Sequence, residues 1–276
     1  MRIWIVGKEG LLARALARAC AQRGLDFFAT GQSEADVTRP ETLEPFAEEA
    51  THIINCAAYT NVDLAETEIS RCYAINAEGP AHLAKVAHGK LLHVSTDYVF
   101  DGKQERPYVE TDLCRPLSVY GKSKRDGEAK CLEAAPDACI VRTSWLFGVG
   151  GKNFLSSLLQ LMQTQEEIKV AGDQLGSPTY VEDCAGTLLD LIDRRGIFHV
   201  TSGGALTRAQ IAHEMRAAAL EAGLPLKCQR ITAASFGAAA ERPNYSVLAL
   251  DKVEQTLGKP CRQWKEAVRE YVKHAL

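Results

Sequence analysis

The sequence predicts an α/β fold: a Rossmann-like, doubly wound parallel sheet followed by a smaller α/β region. Three observations carry this reading. Strand-like and helix-like patterns alternate from residue 1 to about 150, with loops of ordinary length. The first apolar run leads at once into a glycine turn and an Ala-rich helical stretch. The polar residues with chemical potential then fall just after the C-terminal ends of the strand-like runs, where such sheets bind ligands.

Composition leaves room for this architecture and closes off others. The chain has 276 residues, 46% hydrophobic and 24% charged, enough for one large domain or one large and one small. A net charge of −3 and a pI near 6.2 argue against nucleic-acid binding, which normally needs a basic excess. No apolar run reaches the length of a membrane span, and no basic amphipathic stretch suggests a membrane surface. The 9 Cys include no C-x-x-C pair, so neither a zinc site nor a redox couple is signalled. Free thiols and the absence of a signal-peptide pattern lead to a cytoplasmic expectation. The 7 His show no metal-ligand spacing, and no metal is expected.

Arg2 to Val6 reads as a buried strand, followed by the turn motif Gly7 to Ala13 and then an Ala-rich helix to about Gln22. Between them, Gly7 permits a tight turn and Gly10 lets the backbone approach a pyrophosphate. Ala13 still allows close helix–strand packing. The free N–H groups at the helix start suit phosphate. Leu25 to Thr30 is the second strand. A site selective for NAD usually ends it in an acid; here Ala29-Thr30-Gly31-Gln32-Ser33 has neither acid nor Arg. The expected cofactor is NADPH or NADH, leaning to NADPH. Asp36 and Val37 follow, with Thr38, Pro40 and Glu41 read as a capping box that starts a helix.

Thr51 to Asn55 is the third strand, and the small residues Ala57 and Ala58, before Tyr59, Thr60 and Val62, let a flat ligand lie against the backbone. A helix over about 72–87 contains Asn76. If buried, its amide must find partners, and a distorted helix anchoring the active-site strand is one way. Lys90 to Ser95 is the fourth strand and delivers Thr96. Residues 97–117 read as a long functional loop. Ser118 to Ala134 is a helix that places Tyr120 and Lys124 on one face. Cys139 to Thr143 is the fifth strand, followed by Ser144-Trp145-Leu146-Phe147-Gly148.

Residues 1–150 are thus expected to form the dinucleotide domain and 151–276 mainly a substrate-binding region. In the latter, helices are read over Asn153–Met162, Val181–Asp193, from Thr207 to about Ala222 and over Trp264–His274. Strands are read over Ile168–Ala171 and Ile197–Val200. The segment 181–200 is free to return to the main sheet.

Thr96, Tyr120 and Lys124 are the candidate catalytic set. A free Tyr is a poor acid–base group at neutral pH, and a nearby ammonium is expected to lower its pKa. Tyr120 then serves as proton donor or acceptor, while Thr96 hydrogen-bonds the same substrate oxygen. The hydride would come from a nicotinamide. A Y-x-x-x-K alone is common; here it follows a glycine-turn βαβ unit and a Ser-Thr strand end.

The motifs GKEGLL, NCAAYTNVDLAE, INA, STDYVFDG, PLSVYGKSK, RTSWLFG, GDQLGSPT and RPNYS resemble those of the extended short-chain dehydrogenase/reductases. Within these they are most similar to the dTDP-4-dehydrorhamnose reductase family, over nearly the whole chain. The resemblance implies that Gly10, Leu11 and Leu12 lie on the cofactor pyrophosphate and that Asp36 and Val37 flank the adenine. Ala58, Tyr59 and Thr60 would line the cofactor's path. Tyr120 would donate a proton to a 4-keto oxygen, and Lys124 would hold the ribose and tune Tyr120. Thr96 would stabilise the alkoxide, and Val62, Asp97 and Trp145 would touch a nucleotide sugar. The family's third Gly is Ala13 here and its frequent acid is Thr30. Some relatives share a metal between subunits; no such acidic cluster aligns here, and a monomer or homodimer is expected. Two rival readings stay open. One is a dehydratase, epimerase or other 4-ketoreductase for nucleotide sugars, with Tyr98 in place of an acid counting against elimination. The other is a non-catalytic subunit like the partner of methionine adenosyltransferase.

Overall fold

A computed structural model describes residues 1–151 and 153–275. In chain order the first half runs β1 (Arg2–Val6), α1 (Leu11–Gln22), β2 (Asp26–Thr30), α2 (Glu44–Glu49), β3 (His52–Asn55), α3 (Val62–Ala65), α4 (Ile69–Tyr73), α5 (Gly79–Val86), β4 (Lys90–Thr96), α6 (Val119–Ala134) and β5 (Cys139–Thr143). The second half adds β6 (Leu146–Phe147), α7 (Phe154–Thr164), β7 (Glu167–Ala171), β8 (Leu175–Gly176), β9 (Thr179–Tyr180), α8 (Val181–Asp190), β10 (Gly196–His199), β11 (Leu206–Thr207), α9 (Arg208–Glu221), β12 (Arg230–Ala234), α10 (Asp251–Leu257) and α11 (Trp264–His274). The main sheet has 6 strands in the order β10-β5-β4-β3-β1-β2, and every pairing is parallel.

Strands such as Ile3-Trp4-Ile5-Val6 are buried on both faces, so they read as continuous apolar runs rather than as alternating ones. One face is covered by α1 and α8, with Leu12, Leu16, Ala185 and Leu188 against Ile5 and Val141. The other carries α2, α5 and α6 over Trp4, Ile53 and Leu91. The segment 181–200 does rejoin this sheet, with β10 pairing β5. A separate core, built from α7, α9 and α11 beneath the β7–β12 pair, holds most of the second half.

Several local expectations change. Thr38 does not cap a helix. Its hydroxyl and N–H both donate to Asp36 Oδ1, at 2.7 and 2.9 Å, and only a short 3-10 turn, Pro40–Thr42, follows. The local turn competes successfully for the side chain. The helix expected over 72–87 is broken by a π-turn at Ala74–Glu78. Asn76 sits in that turn and is buried. It accepts from Tyr59 N–H at 2.8 Å and donates to Tyr59 C=O at 3.0 Å and Ser123 Oγ at 3.1 Å. The distortion therefore anchors the loop after β3, not the strand itself. Gly127 of α6 packs on the same turn: a Cβ there would lie 2.0 Å from the Asn76 carbonyl oxygen.

Helix α6 is fixed over the sheet by a buried ion pair. Glu128 accepts from Arg142 Nη2 at 2.7 Å and Nε at 2.9 Å, and from Ser95 Oγ at 2.5 Å. Both charged side chains are at most 5% exposed. Removing one partner strands the other charge. Glu128→Ala is therefore expected to lower unfolding stability by about 3–5 kcal/mol in urea denaturation. A loss below about 1 kcal/mol, the scale of a surface pair, would show that Arg142 is not stranded.

Candidate active site

The C-terminal edge of the main sheet opens into three joined clefts. The central one, about 480 Å³, runs from Gly10, Leu11 and Leu12 past Ala58, Thr60 and Val62 to Thr96, Asp97, Tyr120, Lys124 and Trp145. A second, about 280 Å³, is lined by Gly7, Asp36, Val37 and Ala57 and shares Gly10, Cys56, Ala58 and Thr60 with the first. Together they make a long groove over the C-terminal ends of β1, β3 and β4, crossing the point between β1 and β3 where the strand order reverses. The third, about 390 Å³, lies over the second half of the chain and meets the central cleft at Arg208.

The groove fits a dinucleotide. Helix α1 starts at the groove with no side-chain cap and no acid in its first turn, so its free N–H groups face the opening. Gly7 has φ +90°, and a Cβ there would stand 2.9 Å from Ala57 N, closing the turn against the β3 loop. Burial works against ionisation of Asp36, but hydrogen bonds from Thr38 and Gln32 outweigh it and hold the carboxyl below its usual range. Cys56 lines both clefts. Burial pushes its thiol up to about 12, so it acts as a neutral wall and not as a nucleophile.

Two expected cofactor residues face elsewhere. Thr30 is buried, its hydroxyl accepting from Trp4 Nε1 at 2.8 Å while its carbonyl accepts from Gly7 and Lys8 N–H. The bulky indole in β1 claims the hydroxyl, so Thr30 shapes the turn from within the core. The Tyr59 ring packs with Ala65 and Cys72, and its hydroxyl donates to Glu68 at 3.1 Å. Its backbone, held by Asn76, is what fixes the path of Ala58 and Thr60.

Thr96, Tyr120 and Lys124 do converge on the central cleft. Tyr120 meets Tyr98 edge to face, with ring centroids 6.0 Å apart. Burial pushes the Tyr120 phenol well above its ordinary value, and the Thr96 hydroxyl offsets this only in part. This corrects the expectation that Lys124 would lower it. Lys124 is 1% exposed and donates to Val94 C=O at 2.7 Å, and burial brings its own pKa down to about 8. The groups that shift the Tyr120 phenol are its own burial, Thr96, Asp97, Tyr98 and Cys72, and Lys124 is not one of them.

A buried histidine explains more of this. Lys124 Nζ lies 3.3 Å from His93 Nε2, and His93 Nδ1 lies 3.0 Å from Asn55 Nδ2. Asn55 Oδ1 is committed to Ala57 N–H at 3.0 Å, so the Asn55 NH₂ group donates to Nδ1. That network assigns the imidazole proton to Nε2, pointing at Lys124. That contact is satisfied only in the amine form, which Lys124 reaches above its pKa of about 8. His93 stays neutral as well, because burial first and the neighbouring Lys124 second push it well below its ordinary value.

Beyond the catalytic set, Asp97 is 2% exposed and burial raises its carboxyl to about 6. Its Oδ1 accepts from Thr96 Oγ1 at 3.0 Å. Asp97 Oδ2 and Trp145 Nε1 are buried with no hydrogen-bond partner among the described residues. Trp145 adopts φ +45°, a strained value for a side chain of that size. Arg208 stacks on it, 4.3 Å from the ring centroid. Arg242 pairs with Asp63 through two hydrogen bonds, 2.7 and 3.1 Å, tying the C-terminal loop to α3. Sequence reading missed His93, Asn55, Glu128 and Arg208. Only Glu128 left a signal, four residues beyond Lys124 on the same helical stripe. Among the described residues, no group of three or more His, Cys, Asp or Glu could hold a metal ion, and no helix is long and apolar enough to cross a membrane.

The chain matches the family model described as the RmlD substrate binding domain over residues 1–276. It is similar to a dTDP-4-dehydrorhamnose reductase of Aggregatibacter actinomycetemcomitans, 37% identical with 97% of each chain covered. A probable dTDP-4,6-dihydroxy-2-methyloxan-3-one 4-ketoreductase of Streptomyces antibioticus is 39% identical, covering 98% of this chain and 94% of the relative. Among solved structures, the dTDP-4-dehydrorhamnose reductase of Clostridium acetobutylicum superposes with a TM-score of 0.92 at 36% identity, over 100% of this chain and 99% of that one. A Bacillus anthracis dTDP-4-dehydrorhamnose reductase in complex with NADP gives 0.92 at 33% identity, over 99% of both.

Burial of Lys124 has a measurable consequence. Its pKa falls from 10.5 to about 8, so between these values the unfolded chain binds the additional proton and stability rises with pH. Urea denaturation of the ligand-free protein is expected to show it gaining stability relative to Lys124→Met as pH rises from about 8 to 10.5. Parallel pH curves would mean the ammonium carries no folding penalty.

Proposed function

The chain belongs to the RmlD substrate-binding-domain family, and from that premise we propose that it reduces dTDP-4-dehydro-β-L-rhamnose to dTDP-L-rhamnose with NADPH or NADH. One observation carries the reading. A phenol kept protonated by burial, a Thr hydroxyl and a buried Lys meet where the dinucleotide groove opens into the central cleft. The relatives named as reductases of dTDP sugars, and one relative's complex with NADP, support it.

When bound, the reduced nicotinamide supplies a hydride to the carbonyl carbon of the 4-keto sugar. The chain's own residues manage the oxygen. The Thr96 and Tyr120 hydroxyls hydrogen-bond the carbonyl oxygen and stabilise the charge that develops on it. Tyr120 then releases its proton to that oxygen, giving the alcohol and a phenolate. Lys124, set against the cofactor ribose, returns a proton to Tyr120. Reduction needs a loaded acid, and burial keeps Tyr120 loaded. Gly7, Gly10, Leu11, Leu12, Ala57, Ala58 and Thr60 form the dinucleotide bed, and Asp36 and Val37 flank the adenine. Val62, Asp97 and Trp145 take the sugar, with residues 151–276 supplying most of the remaining substrate contacts. The same reading makes the protein a cytoplasmic enzyme that acts as a monomer or homodimer.

An elimination chemistry fits less well. Tyr98 stands edge-on to Tyr120, where a dehydratase would want a second acid. A non-catalytic subunit would have no use for a buried acid loaded at the mouth of a dinucleotide groove.

Tyr120→Phe is expected to bind NADPH normally and to lose about 10²- to 10⁴-fold in kcat, read by NADPH oxidation with dTDP-4-keto-L-rhamnose. An unchanged kcat would remove Tyr120 from the proton step. Trp145→Ala is expected to raise KM for the sugar nucleotide about tenfold while leaving KM for the cofactor within about twofold. Equal shifts in both would place Trp145 outside the sugar site.

A further inference from the structure

The least explained side chain in the clefts is Arg208. It opens α9, directly after the Thr207 cap, so its backbone is fixed. Its guanidinium carbon lies over two rings, 4.3 Å from the Trp145 centroid and 4.9 Å from that of Phe154. These cation–π contacts hold the group while neither ring offers an acceptor to its N–H donors. The Tyr98 phenol and the Asp97 carboxyl are near enough to favour its charged form. Among the described residues it has no carboxylate within ion-pair distance. Its neighbour Arg242, by contrast, is bound through two hydrogen bonds to Asp63. Arg208 therefore brings a positive charge into the clefts that the protein itself leaves without an ion-pair partner. Burial, the largest influence on it, pushes its pKa below the ordinary arginine value.

Its position gives that charge a purpose. Among the described residues, Arg208 is the one that lines both the central cleft, with Thr96 and Tyr120, and the outer cleft. The outer cleft is walled by Phe154, Leu158, Leu161 and Phe236, with Lys169 and Gln174 among its polar groups, a lining suited to a flat heterocycle. A nucleotide sugar with its hexose at Tyr120 and its base among those apolar walls must carry its two phosphates through the junction between the clefts. We propose that Arg208 is the pyrophosphate anchor of the nucleotide-sugar substrate, clamping it between the sugar and base subsites by charge-assisted hydrogen bonds. This inference rests on the nucleotide-sugar reading above and assigns it a residue that specifies the linker.

The test separates charge from packing and uses ligand binding, not turnover. Arg208→Met keeps an aliphatic stem on Trp145 and Phe154, and Arg208→Lys keeps the charge. Dissociation constants for dTDP, for UDP and for NADPH are measured by calorimetry on the full-length protein and both variants. Arg208→Met is expected to weaken binding of the preferred nucleoside diphosphate at least about tenfold. Arg208→Lys should stay within about threefold, and NADPH affinity should be unchanged in both. Three results would overturn the proposal: unchanged diphosphate affinity in Arg208→Met, a Lys variant as weak as the Met variant, or an equal loss of NADPH affinity. If neither diphosphate binds the parent protein, the anchor fails with the nucleotide-sugar reading. If dTDP binds but dTDP-4-keto-L-rhamnose is not reduced, the reaction assignment fails while the affinities of the two Arg208 variants still decide the anchor.

Discussion

Lys124 puts an amine where 1% of the residue reaches solvent, and much of the site follows from that single placement. A buried ammonium without a counter-ion is costly, yet no carboxylate is offered to it. Glu128, one turn further along α6, is already bound to Arg142 and Ser95. The partners supplied instead are neutral: the Val94 carbonyl and a His93 ring whose tautomer is set by Asn55. The lysine therefore sits near its own titration point, with a pKa of about 8, and gains or gives up a proton cheaply. The same burial keeps Tyr120 protonated. A loaded acid beside an easily recharged base is the arrangement that reduction of a carbonyl requires.

Placing α6 that tightly over β4 demands close contact on both of its sides. On one, Glu128 reaches under the helix to β5. On the other, Gly127 lets the backbone touch the π-turn at Ala74–Glu78, where Asn76 ties the β3 loop to Ser123 of α6. The π-turn is thus a joint. It couples the loop carrying Ala58 and Thr60 to the helix carrying Tyr120 and Lys124, so cofactor bed and proton donor are held in one register.

The first half of the chain was legible because its signals are local. Buried parallel strands announce themselves as short apolar runs, and β1, β5 and the Trp264–His274 helix appear with the bounds read from sequence. The Y-x-x-x-K spacing places two side chains on one helical face wherever that helix lies. What stayed hidden depends on contacts distant in sequence. Nothing near Thr30 shows that Trp4, 26 residues away, will take its hydroxyl. Lys124 could be paired with Tyr120 on paper, but the burial of the Tyr120 phenol itself, which raises its pKa instead of lowering it, is a property of the packed sheet. Strand β12 pairs with β7, an element far from it along the chain, and its RITAA run carries no pattern of its own.

The substrate side works by a different physical rule from the cofactor side. The dinucleotide groove offers backbone N–H groups and small side chains, a surface complete before anything binds. Around Trp145 the protein leaves polar groups unmet. The residue is strained at φ +45°, and among the described residues its indole N–H lacks a partner and Asp97 Oδ2 in the same cleft lacks one too. Each unmet buried group costs on the order of 1–3 kcal/mol while the cleft is empty. Such a cleft holds a surplus that only a ligand with its own hydroxyls and acceptors can release, which favours a sugar over an apolar guest. The guanidinium of Arg208, with no carboxylate to pair it, extends the same rule outward by one subsite. Recognition here rests on what the fold leaves unsatisfied, so a variant that fills those gaps from within should stabilise the empty protein and weaken its hold on the substrate.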